Sequence, residues 1–480
     1  MYIGGLDIGT SGCKIVIYDE HENFIKSEYK AYEVKRGGGL SEIDPEEILS
    51  SVKEIIKCLK ISEISAIAVT SFGETFAMLD ENDRPCAPSM LYTDPRGKDE
   101  CYEISNRFGA EKLALKTGTM PHEMYSLSKI MWIKNNMPES FEKAKHILLM
   151  QDYIVYMLCG NAQIDYSLAA RTACFDVKNK CWCKNVLEFC GIDENLLSLP
   201  VPSGTEAGVM KKNISSELGI KPGTKIVSGC HDQIAAMTGA NVFNSKEAMD
   251  GTGTVECVPV VSESPPNDFE LFRMGYSFIP HINGKYACCV LSYAGGATIK
   301  WFKDNFSGLS YSELNKKISD KPTSLLILPH FAGAATPYMD TSSKAGIVGL
   351  TFEHKAEDIY KALMEGTAFE IKVNLETLKN RGIAPKLMIA TGGGARSDEW
   401  LQIKADILNI EIAALNRDEA GAAGTAYLAG KATGIYDDNT RLLKTERTFM
   451  PCKEKNLYYE KQFKKYKKLY KALKEVMKDE

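Results

Sequence analysis

The chain carries one short hairpin pattern twice, as Asp7-Ile8-Gly9-Thr10-Ser11 and as Asp250-Gly251-Thr252-Gly253-Thr254, about half a chain apart. Apolar runs bracket both copies. Tyr2 to Leu6 precedes the first and Cys13 to Tyr18 follows it, and Val255 to Val261 follows the second. A tight turn of Gly, Thr and Ser aims successive backbone N–H groups and hydroxyls at one point, which suits a phosphate oxygen. One such turn is an ordinary hairpin. Two, spaced by half the length, predict a duplicated fold whose halves grip one nucleotide between them.

At 480 residues the chain is too long for one core, and the repeat divides it into domains at 1–245 and 246–480. The segment Asn241-Val242-Phe243-Asn244-Ser245 reads as the crossing between them. A net charge of -5 argues against a nucleic-acid binder held by phosphate contacts. No apolar run approaches the roughly 18 residues of a membrane helix, so no membrane partner is expected. The N-terminus enters a strand at Tyr2 with no basic leader, which points to a cytoplasmic protein whose 14 cysteines are reduced thiols. Cys174, Cys181, Cys183 and Cys190 cluster, but only two are close and no His stands near, so ordinary thiols are favoured over a zinc site.

The first half reads as strands at 2–7, 13–19 and 24–32. Asp44-Pro45-Glu46-Glu47 then opens a helix, with Pro at the first turn and acids at the positive end of the dipole. Ile48, Val52, Ile55, Ile56 and Leu59 keep helical spacing, and the strand at 64–70 runs into the loop Ser71-Phe72-Gly73-Glu74-Thr75. The middle is more helical, with candidates at 127–136, 140–144 and 152–158, before a strand at 225–229 and a helix at 231–239. The second half repeats the order: hairpin and strands, helices at 297–306 and 356–380, and a strand at 386–390. Helix 398–409, strand 410–415 and the Ala/Gly-rich helix start at 419–424 complete it. Strand–helix–strand order in both halves gives an α/β class, a mixed sheet flanked by helices in each. Tyr459, Phe463, Tyr466, Tyr470, Leu473 and Met477 form the stripe of a final amphipathic helix that packs on the body.

Three segments could carry chemistry. Asp7 to Lys14 has the parts of a phosphate and Mg²⁺ site: hydroxyls on Thr10 and Ser11, loop amides, a carboxylate able to hold a metal through water, and the charge of Lys14. Gly229-Cys230-His231-Asp232-Gln233 lies between a strand end and a helix start. Asp232 there either caps the helix or takes a proton from a substrate hydroxyl, and position alone favours the cap. Thr391-Gly392-Gly393-Gly394-Ala395 follows a buried strand, and its glycines admit a planar base or a phosphate. It lacks the third glycine of a dinucleotide fingerprint, and no Walker loop occurs in the chain.

The ordered set DIGTSGCK, SFGET, QDYIVYMLCG with IDYSLAARTACFD, GCHDQIAAMTGA, DGTGTVEC, EGTAFE, GGGARSDEWLQIKADIL and EAGAAGTAYLAG resembles the FGGY family of carbohydrate kinases, within the actin-like ATPase superfamily. The resemblance covers roughly residues 1–430. It implies two actin-like (ribonuclease H-like) domains with the active site in the cleft between them. It implies ATP-dependent phosphorylation of a hydroxyl of a small sugar or polyol, with Mg²⁺-ATP held across the two hairpins. Asp232 becomes the general base, and Asp7 holds the metal through water. Thr10, Ser11, Lys14 and Thr252 fall at the β- and γ-phosphates, and Gly295 and Gly296 border the nucleotide. Gly393, Gly394 and Ala395 face its adenosine end, where Asp398 stands at the place of a family asparagine.

In the glycerol kinase branch an Arg-Glu-Thr loop, a Tyr and an Asp-Gln pair hold the polyol. This chain matches at Glu74, Thr75, Tyr125, Asp232 and Gln233, with Gly73 at the arginine's place. Loss of that forked donor removes hydrogen bonds and opens space, which points to an acceptor bulkier than glycerol, of the ketopentose type. The Met-His of the xylulose kinase branch is absent as well. Tyr92-Thr93-Asp94-Pro95-Arg96 resembles the Asp-x-Arg segment on the sugar side, with a structural role equally open. A glycerol or tetritol kinase is the alternative within the family. From other classes come an actin-like ATPase without sugar chemistry, which would need a peptide-binding or polymerising element, and a silent sugar-binding regulator, which would bring a helix-turn-helix. A homodimer is a possible assembly.

Overall fold

The structure, a computed structural model, describes residues 1–477. The first half builds a sheet from β1 (Tyr2–Ile8), β2 (Gly12–Asp19), β3 (Phe24–Ala31), β4 (Ile64–Ser71), β5 (Thr205–Val209) and β6 (Lys225–His231), in the order β5-β6-β4-β1-β2-β3. Its helices include α1 (Pro45–Leu59), α2 (Ser126–Asn136), α3 (Tyr166–Ala170) and α4 (Asp232–Gly239). The second half builds its sheet from β7 (Glu247–Thr252), β8 (Glu256–Ser262), β9 (Ser277–Pro280), β10 (Tyr286–Ser292), β11 (Leu387–Thr391), β12 (Glu411–Leu415) and β13 (Thr445–Phe449), in the order β9-β10-β8-β7-β11-β12-β13. Its helices include α5 (Gly296–Phe306), α6 (Ala356–Lys379), α7 (Asp398–Leu408), α8 (Ala420–Ala432) and α9 (Lys453–Lys474).

Six strands follow the same plan in both sheets, and β9 is an extra edge strand on the second. In each, three strands form an antiparallel meander (β1-β2-β3 and β7-β8-β10). Two more extend each sheet in parallel, β4 beside β1 and β6 beside β4, β11 beside β7 and β12 beside β11. An antiparallel edge strand, β5 or β13, ends each sheet. The repeated hairpin pattern thus marks one position in two equivalent sheets.

Local sequence explains the elements that set the frame. Asp44 caps α1 by accepting the Glu46 N–H at 2.9 Å, and Ile48, Val52, Ile55, Ile56 and Leu59 bury its inner stripe. The run Ile-Ser-Ala-Ile-Ala-Val-Thr-Ser of β4 is buried almost throughout, as a central strand with parallel neighbours requires. Helix α9 buries Tyr459, Phe463, Tyr466 and Leu469 on the second half, with Tyr470, Leu473 and Met477 partly covered, and its lysines face outward.

The equivalent helices α4 and α8 follow β6 and β12 and pack directly on each other. Small residues permit this approach: a Cβ on Gly424 would lie 1.9 Å from the Ala235 carbonyl oxygen, and one on Gly239 would lie 2.0 Å from that of Ala420. Helix α8, late in the chain, therefore packs on the first half, next to β1 and α4.

Candidate active site

Three adjacent parallel strands end at one place. Ile8 of β1 is in register with Ser71 of β4, and Ser71 with His231 of β6. The first hairpin, the Gly73-Glu74-Thr75 loop and Asp232 therefore emerge side by side, at the carboxyl edge where α/β sheets bind ligands. On the second half, Gly251 of β7 is level with Thr391 of β11, so the second hairpin and the Gly392–Gly394 loop also emerge together.

The first hairpin is closed by the Gly9 N–H donating to the Gly12 carbonyl at 2.9 Å. Thr10 and Ser11 are accessible at its tip. Lys14 is level with Asp7 on β2 and stands 3.6 Å from Glu419, just before α8. Burial and the charge of Asp232, only partly offset by Lys14, push the Asp7 carboxyl up to about 7.

Asp232 is the first residue of α4, and His231 holds the cap position without a side-chain capping hydrogen bond. Asp232 thus stands one residue inside the helix, past the cap position. Some 35% of the Asp232 side chain is exposed, whereas its Oδ1 is buried against His231 Nε2 at 3.2 Å without a hydrogen-bond partner. Desolvation, opposed by hydrogen bonds from Gln233 and by the nearby Arg171 guanidinium, pushes its carboxyl up to about 6. His231, buried and beside Arg171, is held down to about 3 and is neutral.

The space expected at Gly73 is filled. Arg171, the residue after α3, lays its side chain across Gly73, so that a Cβ there would meet Arg171 Cγ at 3.0 Å and Nε at 3.3 Å. Arg171 Nε donates to Glu74 Oε1 at 2.6 Å, its Nη2 donates to the same oxygen, and its guanidinium covers the Tyr125 ring at 5.0 Å. The loop has thus not lost its guanidinium; a different part of the chain provides it. The signal was one cation inside the small and apolar run Ser-Leu-Ala-Ala-Arg-Thr-Ala-Cys-Phe, which needs a buried partner. Glu74 sits at φ +68, a costly conformation that aims its carboxylate at this contact.

Other expected acceptor residues differ in exposure. Thr75 is wholly buried and its hydroxyl has no partner, so in this conformation it does not present its side chain to the cleft. Tyr125 hydrogen-bonds Thr119 through its hydroxyl, leaving its ring face beneath Arg171. Asp94 and Arg96 bind each other, Arg96 also binds Glu42, and Lys129 donates to both of their carbonyls, so that segment serves as a structural clasp.

On the nucleotide side a cavity of about 640 Å³ is lined by Thr252, Gly296, Gly393, Gly394, Asp398 and Tyr360, among others. The Gly296 N–H donates to the Gly253 carbonyl at 2.8 Å, which joins the Gly295-Gly296 turn to the second hairpin. The Thr252 hydroxyl is already engaged: it donates to Asp250 at 2.7 Å and accepts from buried Lys404 at 2.8 Å. A phosphate contact by Thr252 is therefore left to its backbone. Ala395 is buried, and its carbonyl and the Asp398 carboxylate both bind Arg447. The second half meets the first beside the acceptor loops: the Phe278 N–H of β9 donates to the Gly118 carbonyl at 2.7 Å, and the Tyr286 hydroxyl of β10 to that of Val177 at 2.8 Å.

Cys174, Cys183 and Cys190 are buried free thiols and Cys181 is exposed; among the described residues no group of three or more metal-ligating side chains converges. No helix among them is long and apolar enough to cross a membrane.

Known proteins resemble this chain in sequence and in fold. The family model described as "FGGY family of carbohydrate kinases, N-terminal domain" matches residues 2–239, and its C-terminal counterpart matches 251–433. A xylulose kinase of Lactococcus lactis is 27% identical, over 99% of this chain and 97% of its own. A gluconokinase of Bacillus subtilis is 29% identical over 91% and 88%. The solved structure of a ligand-bound xylulose kinase from Lactobacillus acidophilus, 25% identical, superposes with a TM-score of 0.90 over 98% of both chains.

Proposed function

The chain belongs to the FGGY family of carbohydrate kinases, and on that premise we propose that it transfers the γ-phosphoryl group of ATP to a hydroxyl of an uncharged small sugar of the pentulose class. The observation that carries the reading is the convergence of Asp7, Glu74 and Asp232 at three neighbouring strand ends, beside the contacts with the half that holds the second hairpin.

Asp232 is the proposed base. With its carboxyl near 6 it is largely ionised at neutral pH, yet basic enough to take the acceptor hydroxyl's proton as that oxygen attacks the γ-phosphorus and ADP leaves. Thr10, Ser11 and Lys14 would receive the terminal phosphate oxygens, and the Thr252 N–H would meet them from the other side. Gly295 and Gly296 would border the nucleotide, with Gly393, Gly394, Ala395 and Asp398 toward the adenosine. Asp7 fits Mg²⁺: it offers oxygen alone, and burial beside Asp232 leaves it in need of a positive neighbour. The ion would neutralise charge on the β- and γ-phosphates.

The charges bear on the acceptor. Glu74 and Arg171 cancel, so Asp232 leaves the subsite negative, and an aldonate would bind against that charge. The guanidinium of Arg171 is the one observation that favours a second reading, a glycerol or tetritol acceptor. A coupled ADP assay over ketopentoses, tetritols, glycerol and gluconate separates these. Preference for a ketopentose is expected; preference for gluconate would overturn the substrate class. Asp232→Asn is expected to lower sugar-dependent turnover by about 10²–10⁴-fold, the usual span for a general base, and near-normal turnover would remove its role.

A further inference from the structure

The contact between Arg171 and Gly73 extends the reading above, on which it rests. Arg171 is fixed on three sides: Glu74 binds its Nε and Nη2, the Tyr125 ring lies under its plane, and the bare backbone of Gly73 supports its aliphatic stem. Only 12% of the side chain is exposed. Two groups of this assembly keep free hydrogen-bonding capacity: neither Arg171 Nη1 nor Glu74 Oε2 has a hydrogen-bond partner among the described residues. One is a donor and the other an acceptor, and they belong to one rigid ion pair whose guanidinium bears on Asp232. A pair of adjacent hydroxyls needs that combination, since one hydroxyl can accept from the guanidinium while its neighbour donates to the carboxylate.

We propose that Arg171 is a specificity-determining residue of the acceptor subsite: with Glu74 it reads a vicinal diol of the sugar, and position 73 is glycine because the Arg171 stem occupies the space a side chain would need. The guanidinium of this subsite would then arrive from the end of α3 instead of from the loop itself. Any side chain at 73 competes with it, so the identities of residues 73 and 171 are coupled.

The test is acceptor kinetics on the full chain with saturating ATP. Arg171→Ala is expected to raise the acceptor KM about 10–100-fold while the KM for ATP stays within about twofold, the size of effect expected when a polar site loses one hydrogen-bonding partner. Because that variant leaves Glu74 buried and unpaired, Gly73→Ala serves as the second probe. It keeps both charges and presses only on the Arg171 stem, and it should raise the acceptor KM several-fold at an unchanged melting temperature. Gly73→Arg in the Arg171→Ala background should recover part of the lost affinity, whereas Gly73→Arg alone should impair it. An acceptor KM unchanged in both Arg171→Ala and Gly73→Ala would overturn the inference and leave the kinase reading intact. Absence of sugar-dependent turnover in the unmodified protein would overturn both.

Discussion

His231 Nε2 stands 3.2 Å from Asp232 Oδ1, and the imidazole that makes this contact is neutral. Burial and the Arg171 guanidinium hold it down to about 3, so it adds no charge beside the base at any working pH. Measured with Mg²⁺ in excess, so that the ion would keep Asp7 ionised, the acid limb of the reaction should therefore belong to Asp232. A base works when deprotonated, so kcat/KM is expected to hold above about pH 6 and fall as pH drops through it. His231→Gln removes a neutral ring and should leave that limb within about half a pH unit. A shift beyond one unit in a profile from pH 5 to 8 would show the imidazole to be charged.

Asp7 carries a stability cost that its proposed role requires. Its folded value of about 7 lies above its ordinary 3.8, so the folded state is favoured at pH below about 4 and loses that advantage as pH rises to 7. Asp7→Asn removes the buried charge. The variant is expected to melt several degrees higher at pH 8, with the gain shrinking toward pH 4, while Mg²⁺-ATP-dependent turnover collapses. An unchanged melting temperature at pH 8 would mean that the site solvates Asp7 better than its surroundings suggest.

The hairpins and the parallel strands were legible in the sequence because they rest on local patterns of turn residues between apolar runs, whereas at Asp232 the local pattern favoured a cap and only the family resemblance implied a base. Arg171 was not, because its meaning depends on Glu74, 97 residues away. Gly73 read as open space for the same reason, since nothing local shows which side chain returns across it. Lys404 was hidden differently. On an amphipathic helix a lysine reads as part of the wet face, and its burial appears only when α7 packs behind the second hairpin. The helices at Lys98–Phe108 and Ala110–Thr117 went unread because they are short on apolar residues, burying only Ile104 in the first and Leu113 and Ala114 in the second, which leaves little stripe to read.

Lys404 supports the second hairpin from behind. It is about 1% exposed, and its ammonium donates to Asp250 and Glu256, each at 2.5 Å, and to the Thr252 hydroxyl. Lys404→Met would leave two buried carboxylates facing each other, a loss of about 3–5 kcal/mol by analogy with other broken buried pairs. A melting temperature lower by roughly 10 °C is expected. Burial and Asp250 already raise the Glu256 carboxyl, so adding Glu256→Gln should recover part of the loss. Failure of the double variant to recover would point to packing against Trp400, which the ammonium covers at 4.8 Å, as the larger contribution.

The joint between the halves makes the sharpest stability prediction. A Cβ at Gly424 would lie 1.9 Å from the Ala235 carbonyl oxygen and 2.6 Å from the Gly239 backbone nitrogen, and neither backbone atom can swing aside as a side chain would. Gly424→Ala must therefore push α8 away from α4. Overpacking ordinarily costs about 1–3 kcal/mol, and a clash with backbone on both sides should reach the top of that range or beyond. The displacement would also reach the chemistry, because α4 begins at Asp232 and Gly421 of α8 faces Asp7, where a Cβ would lie 2.8 Å from Oδ2. Gly424→Ala is expected to lower both the melting temperature and kcat, whereas Gly308→Ala, with nothing within 4 Å of its Cβ, should change neither. If Gly424→Ala melted and turned over like Gly308→Ala, the α4–α8 contact could not be what holds Asp7 and Asp232 in register.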